Sequence, residues 1–108
     1  MYKGTIIENS LVDKGILDKV QIQKTRQAGD WVLHDVLVEE SQISELSKAL
    51  ASGPWYIHLW QSGQDDVKVI FKGKVFDIKF SDKSTWAGAV AYGKSIGIPD
   101  EQLDFPMD

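Results

Sequence analysis

The sequence predicts an α+β fold: an antiparallel β-sheet of about five to six strands with two α-helices packed on one face. Three observations predict it. Six segments are rich in β-branched residues or alternate between apolar and polar side chains, two segments repeat apolar residues at helical spacing, and glycine or proline separates most of them. The predicted order is βββαβββα, which is compatible with a duplicated βββα unit. The length suits a single domain over residues 1–108.

The N-terminal part is predicted to form three strands, over residues 2–8, 19–26 and 31–38. In the second strand Val20 and Ile22 alternate with polar residues, so we expect one of its faces to meet the core and the other to meet water. The third strand, WVLHDVLV, is apolar on both faces, which is typical of a strand in the interior of a sheet.

Residues 41–54 predict the first helix, because apolar residues recur there every three or four positions. Ser41 is the expected N-cap. Gly53 and Pro54 are expected to end the helix, since glycine readily leaves the helical conformation and proline cannot continue it.

The second predicted helix covers residues 84–97, with Asp82 or Ser84 as its cap. Gly88 and Gly93 lie inside it and lower its intrinsic helix propensity. Such a helix is stable when its small residues allow it to lie close to a sheet. Two apolar residues are expected to hold the C-terminal segment: Leu103 and Phe105.

Three closely spaced strands are predicted between the helices, over residues 55–60, 66–72 and 75–80. A two-residue turn at Gly73-Lys74 would join the last two strands. This register forms three apolar pairs: Phe71 with Phe76, Val69 with Ile78, and Val67 with Phe80. The reverse face would then meet water with Lys68, Ile70, Lys72, Asp77 and Lys79. The paired face is therefore the predicted core face.

The segment WYIHLW, residues 55–60, places an aliphatic set and an aromatic set on opposite faces. Trp55, Ile57 and Leu59 share one face, and Tyr56, His58 and Trp60 share the other. The aliphatic set matches the apolar hairpin, so the aromatic set is expected on the lysine-bearing face. With a three-residue turn at 28–30, that face also gains Trp31, Leu33 and Leu37.

Two interpretations of this aromatic face remain open. It is covered by the N-terminal strands or by a second copy of the chain, or it binds a protein partner. The candidate binding residues are Trp31, Tyr56, His58 and Trp60, with Lys68 and Lys79 at the rim and Ile70 among them. Rings and lysines also suit single-stranded nucleic acid. The aromatic signature of RNA-recognition sheets is missing, however, and a net charge of −4 disfavours that partner.

Composition narrows the chemistry further. The chain has no cysteine, which excludes disulfides, thiolate metal sites and a cysteine nucleophile. No signal peptide or membrane span is predicted, so a cytoplasmic protein without membrane contact is expected. No catalytic motif and no cofactor site is predicted. An alternative function is a small-molecule-binding or hydrolytic enzyme with His58 or His34 as acid–base group. These two histidines could ligate a metal with Asp35 or Asp77, but their spacing does not require it.

Three segments resemble a known family: YKGTIIENSL (2–11), WYIHLW (55–60) and YGKSIGIPDEQLDF (92–105). They are similar to segments of a family of small uncharacterised bacterial and archaeal proteins. The resemblance covers most of the chain and implies a self-contained cytosolic domain. It implies no activity, cofactor or catalytic residue.

Overall fold

The structure is a computed structural model that describes residues 1–103. It contains a six-stranded antiparallel sheet and two α-helices, which confirms the predicted α+β class and the order of elements. The strands are β1 (Tyr2–Ile7), β2 (Gln21–Ala28), β3 (Trp31–Val38), β4 (Ile57–Trp60), β5 (Asp66–Phe71) and β6 (Lys74–Lys79). The helices are α1 (Ile43–Ala49) and α2 (Ala87–Ser95). Within residues 1–103, no helix combines the length and the apolar character needed to cross a lipid bilayer.

The sheet has the strand order β2-β3-β1-β4-β5-β6. Its N-terminal and C-terminal halves are joined where β1 lies beside β4, with Lys3 opposite Trp60 and Gly4 opposite Leu59. In the first half β1 is a neighbour of β3 and not of β2, whereas β4, β5 and β6 follow one another directly. The two halves are therefore connected differently, which argues against a duplicated βββα unit.

The two α-helices lie on opposite faces of the sheet rather than on one shared face as expected. Helix α1 packs into a core that includes Ile70 of β5, whereas α2 packs into a second core that includes Val69 and Phe71. Successive residues of a strand point to opposite faces, so these two cores lie on either side of β5. Ile70 was expected to meet water, but it is fully buried because α1 covers that face.

The hairpin between β5 and β6 has a two-residue loop and an apolar face, but its register is displaced by two residues from the predicted one. The loop is Lys72-Gly73, where Gly73 adopts a positive φ of 74°. The observed apolar pairs are Val69 with Phe76 and Val67 with Ile78. Because the displacement is even, each strand keeps the predicted side chains on the α2 face. Phe80 lies beyond β6 and is 40% exposed.

Helix α1 is preceded by a short 3₁₀ helix over Glu40–Gln42. Ser41 lies inside this segment and is not the N-cap. The backbone N–H of Glu39 instead donates a hydrogen bond to the side-chain oxygen of Gln42 at 2.9 Å. The helix ends before Gly53, which adopts a positive φ of 116° in the connection to β4.

Helix α2 begins at Ala87, later than predicted, and follows a 3₁₀ helix over Lys83–Trp86 whose N-cap is Asp82, one of the two predicted caps. The Asp82 carboxylate accepts a hydrogen bond from the backbone N–H of Ser84 at 3.1 Å. Gly93 lets the chain pack closely, because a Cβ placed there would lie 2.6 Å from the Leu103 side chain. Leu103 is buried, as expected, whereas the expectation for Phe105 lies outside the described residues.

Strand β2 forms one edge of the sheet, and each of its eight residues is exposed. Val20, just before the strand, is buried, but Ile22 is 39% exposed and does not join the core as predicted. The register shifts between Ile22 and Lys24, which marks a β-bulge. The turn to β3 contains two residues, Gly29 and Asp30, and not three.

Candidate functional site

Residues 1–103 cover only half of one face of the sheet, where α2 packs over β5 and β6. We call the remainder of that face the open face. Its side chains are Lys3, Thr5 and Ile7 of β1, Lys24 and Arg26 of β2, Trp31, Leu33, Asp35 and Leu37 of β3, and His58 and Trp60 of β4. None of these side chains is buried, whereas Ile6, Val36 and Leu59 on the opposite face are. The open face is therefore the part of the sheet available to a partner.

The four predicted aromatic and histidine residues lie on the same side of the sheet. Tyr56, just before β4, and His58 have near-parallel rings with centroids 6.1 Å apart. The rings of His58 and Trp60 are stacked at 5.4 Å. Tyr56 and Trp60 also pack against the α2 core, and Trp31, on β3, is 45% exposed. The rings of β4 thus form the boundary between the covered and the open part of this face.

Trp55 packs against the core that contains Ile57 and Leu59, where alternation placed it, and its ring also reaches the aromatic surface. It precedes β4, and the positive φ of Gly53 two residues earlier interrupts the extended backbone there. Its ring meets the Trp31 ring edge to face, with centroids 5.8 Å apart and an angle of 61°. Trp55 lies before β4, so the alternation of that strand carries no information about its contact with Trp31.

Lys68 and Lys79, predicted at the rim of the aromatic face, lie on the opposite face of the sheet. Lys68 stands opposite Leu59, which points into the α1 core, and it donates a hydrogen bond to Asp77. Burial alone would lower the pKa of Lys68, but the hydrogen bond to Asp77 and the nearby charges of Asp77, Tyr2 and Glu40 together raise this pKa above its ordinary value. Lys79 is paired with Asp66 on the same α1 face. Neither lysine can take part in a site on the open face.

Different basic residues occupy the open face: Lys3, Lys24 and Arg26. The guanidinium of Arg26 donates a hydrogen bond to Asp35 at 2.8 Å, and the Thr5 hydroxyl donates to the same carboxylate oxygen at 2.9 Å. The hydrogen bond from Arg26 lowers the pKa of Asp35 below its ordinary value. Alternation along β2 could not reveal Lys24 and Arg26 here, because the bulge reverses the side to which they point.

The open face is concave and holds two adjoining pockets, which we call the groove. Thr5 and His58 line both pockets. The polar pocket has a volume of about 440 Å³ and is lined in addition by Lys3, Arg26, Asp35 and Trp60. The apolar pocket has a volume of about 350 Å³ and is lined in addition by Ile7, Trp31, Leu33, Trp55 and Tyr56. The groove therefore has a basic, polar end and an aromatic, apolar end.

His34, the other predicted acid–base candidate, lies on the α1 face and is buried. Its Nδ1 is 2.9 Å from the Thr25 hydroxyl and its Nε2 is 2.9 Å from a Glu8 carboxylate oxygen. His34 and His58 are thus on opposite faces and cannot share a metal ion or a catalytic site. Within residues 1–103, no group of three histidine, aspartate or glutamate side chains is arranged to hold a metal.

Comparison with known proteins gives no matching family model, no matching curated protein and no matching solved structure. The resemblance of the three sequence segments to a family of small proteins stays a prediction. The case for a function therefore depends on the geometry and the charges of the groove.

Proposed function

We propose that the protein is a non-enzymatic interaction module that binds a protein partner through the groove on the open face. The observation that supports it best is a concave half of the sheet that the described residues leave uncovered. It carries an exposed tryptophan, Trp31, beside the half-buried rings of Trp55, Tyr56 and Trp60. Tryptophan and tyrosine dominate the binding energy of protein interfaces, since they bury a large rigid surface at a low entropic cost.

Charge supports an acidic partner rather than a second copy of the chain. The open face carries Lys3, Lys24 and Arg26 against one carboxylate, Asp35, whereas the whole chain has a net charge of −4. A second copy that used this face would present the same three basic residues and one carboxylate, so it would offer few carboxylates to pair with them. Like charges across an interface are unfavourable, so a partner with surface carboxylates is the better match.

The proposal is tested by purifying a candidate partner and measuring its affinity for matched variants. Trp31→Ala removes an exposed ring of the groove, and Phe80→Ala removes a similarly exposed ring that lies outside it. We expect Trp31→Ala to weaken binding about tenfold or more, as truncation of a hot-spot residue does, and Phe80→Ala to leave it unchanged. A partner that binds both variants equally well refutes the proposal.

A second matched pair of variants tests the role of charge. Lys3→Glu reverses a charge on the open face, and Lys14→Glu reverses one on the 3₁₀ helix Lys14–Asp18, away from it. We expect only Lys3→Glu to slow association with the partner at low salt. Light scattering on the unmodified protein gives the second check. A dimer that Lys3→Glu leaves intact contradicts the acidic partner and favours self-association.

A second candidate function is an enzyme that uses His58, because His58 and Asp35 line the same polar pocket. It is less well supported, since Asp35 already accepts hydrogen bonds from Arg26 and Thr5. A panel of activated esters and phosphates tests it with the protein and with His58→Ala. Turnover that is lost in His58→Ala favours the enzyme, and absent or unchanged turnover contradicts it.

A further inference from the structure

The two ends of the groove are separated along β1 by a known length of strand. Lys3, Thr5 and Ile7 occupy alternate positions of β1 and point to the open face. Lys3 lines the polar pocket, Ile7 lines the apolar pocket, and Thr5 lines both. Four residues of strand span about 13 Å at roughly 3.3 Å per residue. We therefore expect a ligand that uses both ends to present an apolar group and a charged group at about this backbone separation.

The apolar end is suited to one aromatic side chain. Its volume of about 350 Å³ is near the lower limit of pockets that bind small organic molecules, which begin at roughly 300 Å³. The walls include Trp31 and Trp55, whose rings meet at an angle of 61°, with Leu33 beside them. Aromatic rings prefer such edge-to-face and offset contacts. An inserted ring would therefore find partners on more than one side.

The basic end is suited to a carboxylate. Among the described residues Lys3 has no ion pair, whereas Arg26 is paired with Asp35. An incoming carboxylate can therefore pair with Lys3 without displacing an existing partner, whereas the charge of Arg26 in the same pocket is already matched by Asp35. Compact aromatic acids do not suit both ends, because their ring and carboxylate are much closer together than about 13 Å.

We propose that the groove binds an extended acidic segment of the partner, with an aromatic side chain in the apolar pocket and a carboxylate four residues away on Lys3. This inference rests on the proposed function and adds the chemistry of the partner. Residues four apart in an extended chain point to the same side and lie about 13 Å apart, which matches the separation of Lys3 and Ile7. The geometry does not select a chain direction, so aromatic-first and acid-first segments both satisfy it.

Seven-residue peptides without tryptophan test the spacing, because groove tryptophans then report binding by fluorescence. One pair has phenylalanine and aspartate four residues apart, in either order, on a serine-glycine background. A scrambled peptide of identical composition has them adjacent, and a third type has alanine in place of phenylalanine. At low salt, we expect the peptides with the two residues four apart to bind about threefold more tightly than the peptide with them adjacent. One exposed ion pair contributes about this much. Loss of the ring should cost about tenfold.

The variant Lys3→Met supplies the control, since it keeps much of the side chain and removes the charge. The peptides with four-residue and with adjacent spacing should bind this variant equally. High salt should also remove the difference in affinity between them for the unmodified protein. The inference is overturned if all spacings bind equally to the unmodified protein, if alanine replaces phenylalanine without loss, or if no peptide binds at millimolar concentration.

The outcomes separate this inference from the proposed function. Suppose that the peptide affinities do not follow the expected ranking, while binding of a purified partner still depends on Trp31. The extended acidic segment is then wrong and the interaction module stands. If the partner binds Trp31→Ala as tightly as the unmodified protein while the peptide affinities follow the expected ranking, the protein-partner proposal fails.

Discussion

Gly4 joins the two halves of the sheet, and its replacement by alanine is the sharpest test of the fold that positions the groove. It lies buried in β1, opposite Leu59 of β4. A Cβ at this position would lie 2.5 Å from the Leu59 side chain and 2.7 Å from the carbonyl oxygen of His58. Leu59 is fully buried and the carbonyl belongs to the backbone, so neither can move aside freely. Strands β1 and β4 must therefore separate by several tenths of an ångström.

We expect Gly4→Ala to lower the free energy of unfolding by about 3 kcal/mol. Overpacking of a well-packed core costs about 1–3 kcal/mol, and strain on the pairing of β1 with β4 places this site at the upper end. The total stability of a domain of this size is about 5–15 kcal/mol, so the loss is large enough to measure by guanidinium denaturation. His58 carries the contacted carbonyl and lines both pockets, so its amide resonance should also shift.

Gly88→Ala is the matched control for Gly4→Ala. A Cβ on Gly88 would lie 3.3 Å from the ring of Phe76, and alanine favours the helix over glycine by about 1 kcal/mol. We expect its effect on stability to stay within about 1 kcal/mol of zero. Ordinary surface substitutions change the free energy of unfolding by about 0.5 kcal/mol or less. A Gly4→Ala protein whose free energy of unfolding stays within that range of the unmodified protein would refute the reasoning about the packing of β1 against β4.

The remaining predictions concern the α1 core, its cap and the polar pocket. Leu46→Ala removes a fully buried side chain of α1 and should cost about 2–5 kcal/mol in denaturant unfolding. Gln42→Ala removes the acceptor for the backbone N–H of Glu39 and should cost about 1 kcal/mol in the same assay. The hydrogen bond from Arg26 lowers the pKa of Asp35 in the folded protein below its ordinary value of 3.8. The stability that this hydrogen bond contributes is therefore fully present above pH 3.8 and is lost as the pH falls through the folded-state pKa. Carboxyl NMR titration should place the Asp35 midpoint below 3.8, and Arg26→Gln should move it up.

Local patterns in the sequence predicted the elements well, because each pattern reports the environment of a single strand or helix. Alternation correctly separated Ile57 and Leu59, which are buried, from His58 and Trp60, which are not. It also assigned the correct faces of β5 and β6, even though the register was displaced by two residues. An even displacement preserves the face of each side chain, so the register error left the apolar face of this hairpin intact. The predicted core was nevertheless wrong in one respect, because Ile57 and Leu59 pack in the core on the other side of the sheet.

Relations between distant segments could not be predicted in the same way. The register between β4 and β5 places His58 opposite Val69 and Leu59 opposite Lys68, so the rings share a face with the valines and not with the lysines. The sequence pattern of a single strand does not show which residues of the neighbouring strand it faces. The placement of β1 between β3 and β4 brings Lys3 beside Trp60, and it too depends on long-range packing.

The composition of the open face argues for a partner that binds and dissociates. A face that only meets water would carry polar residues throughout, yet Ile7, Leu33 and Leu37 lie there beside the exposed Trp31. A permanent interface would be predominantly apolar, yet three basic residues and a carboxylate share the surface. Such a mixture of aromatic, aliphatic and charged residues is typical of interfaces between proteins that are also stable apart. The fold itself supports this, because both cores are complete without the open face: α1 covers one side of the sheet and α2 covers β5 and β6 on the other.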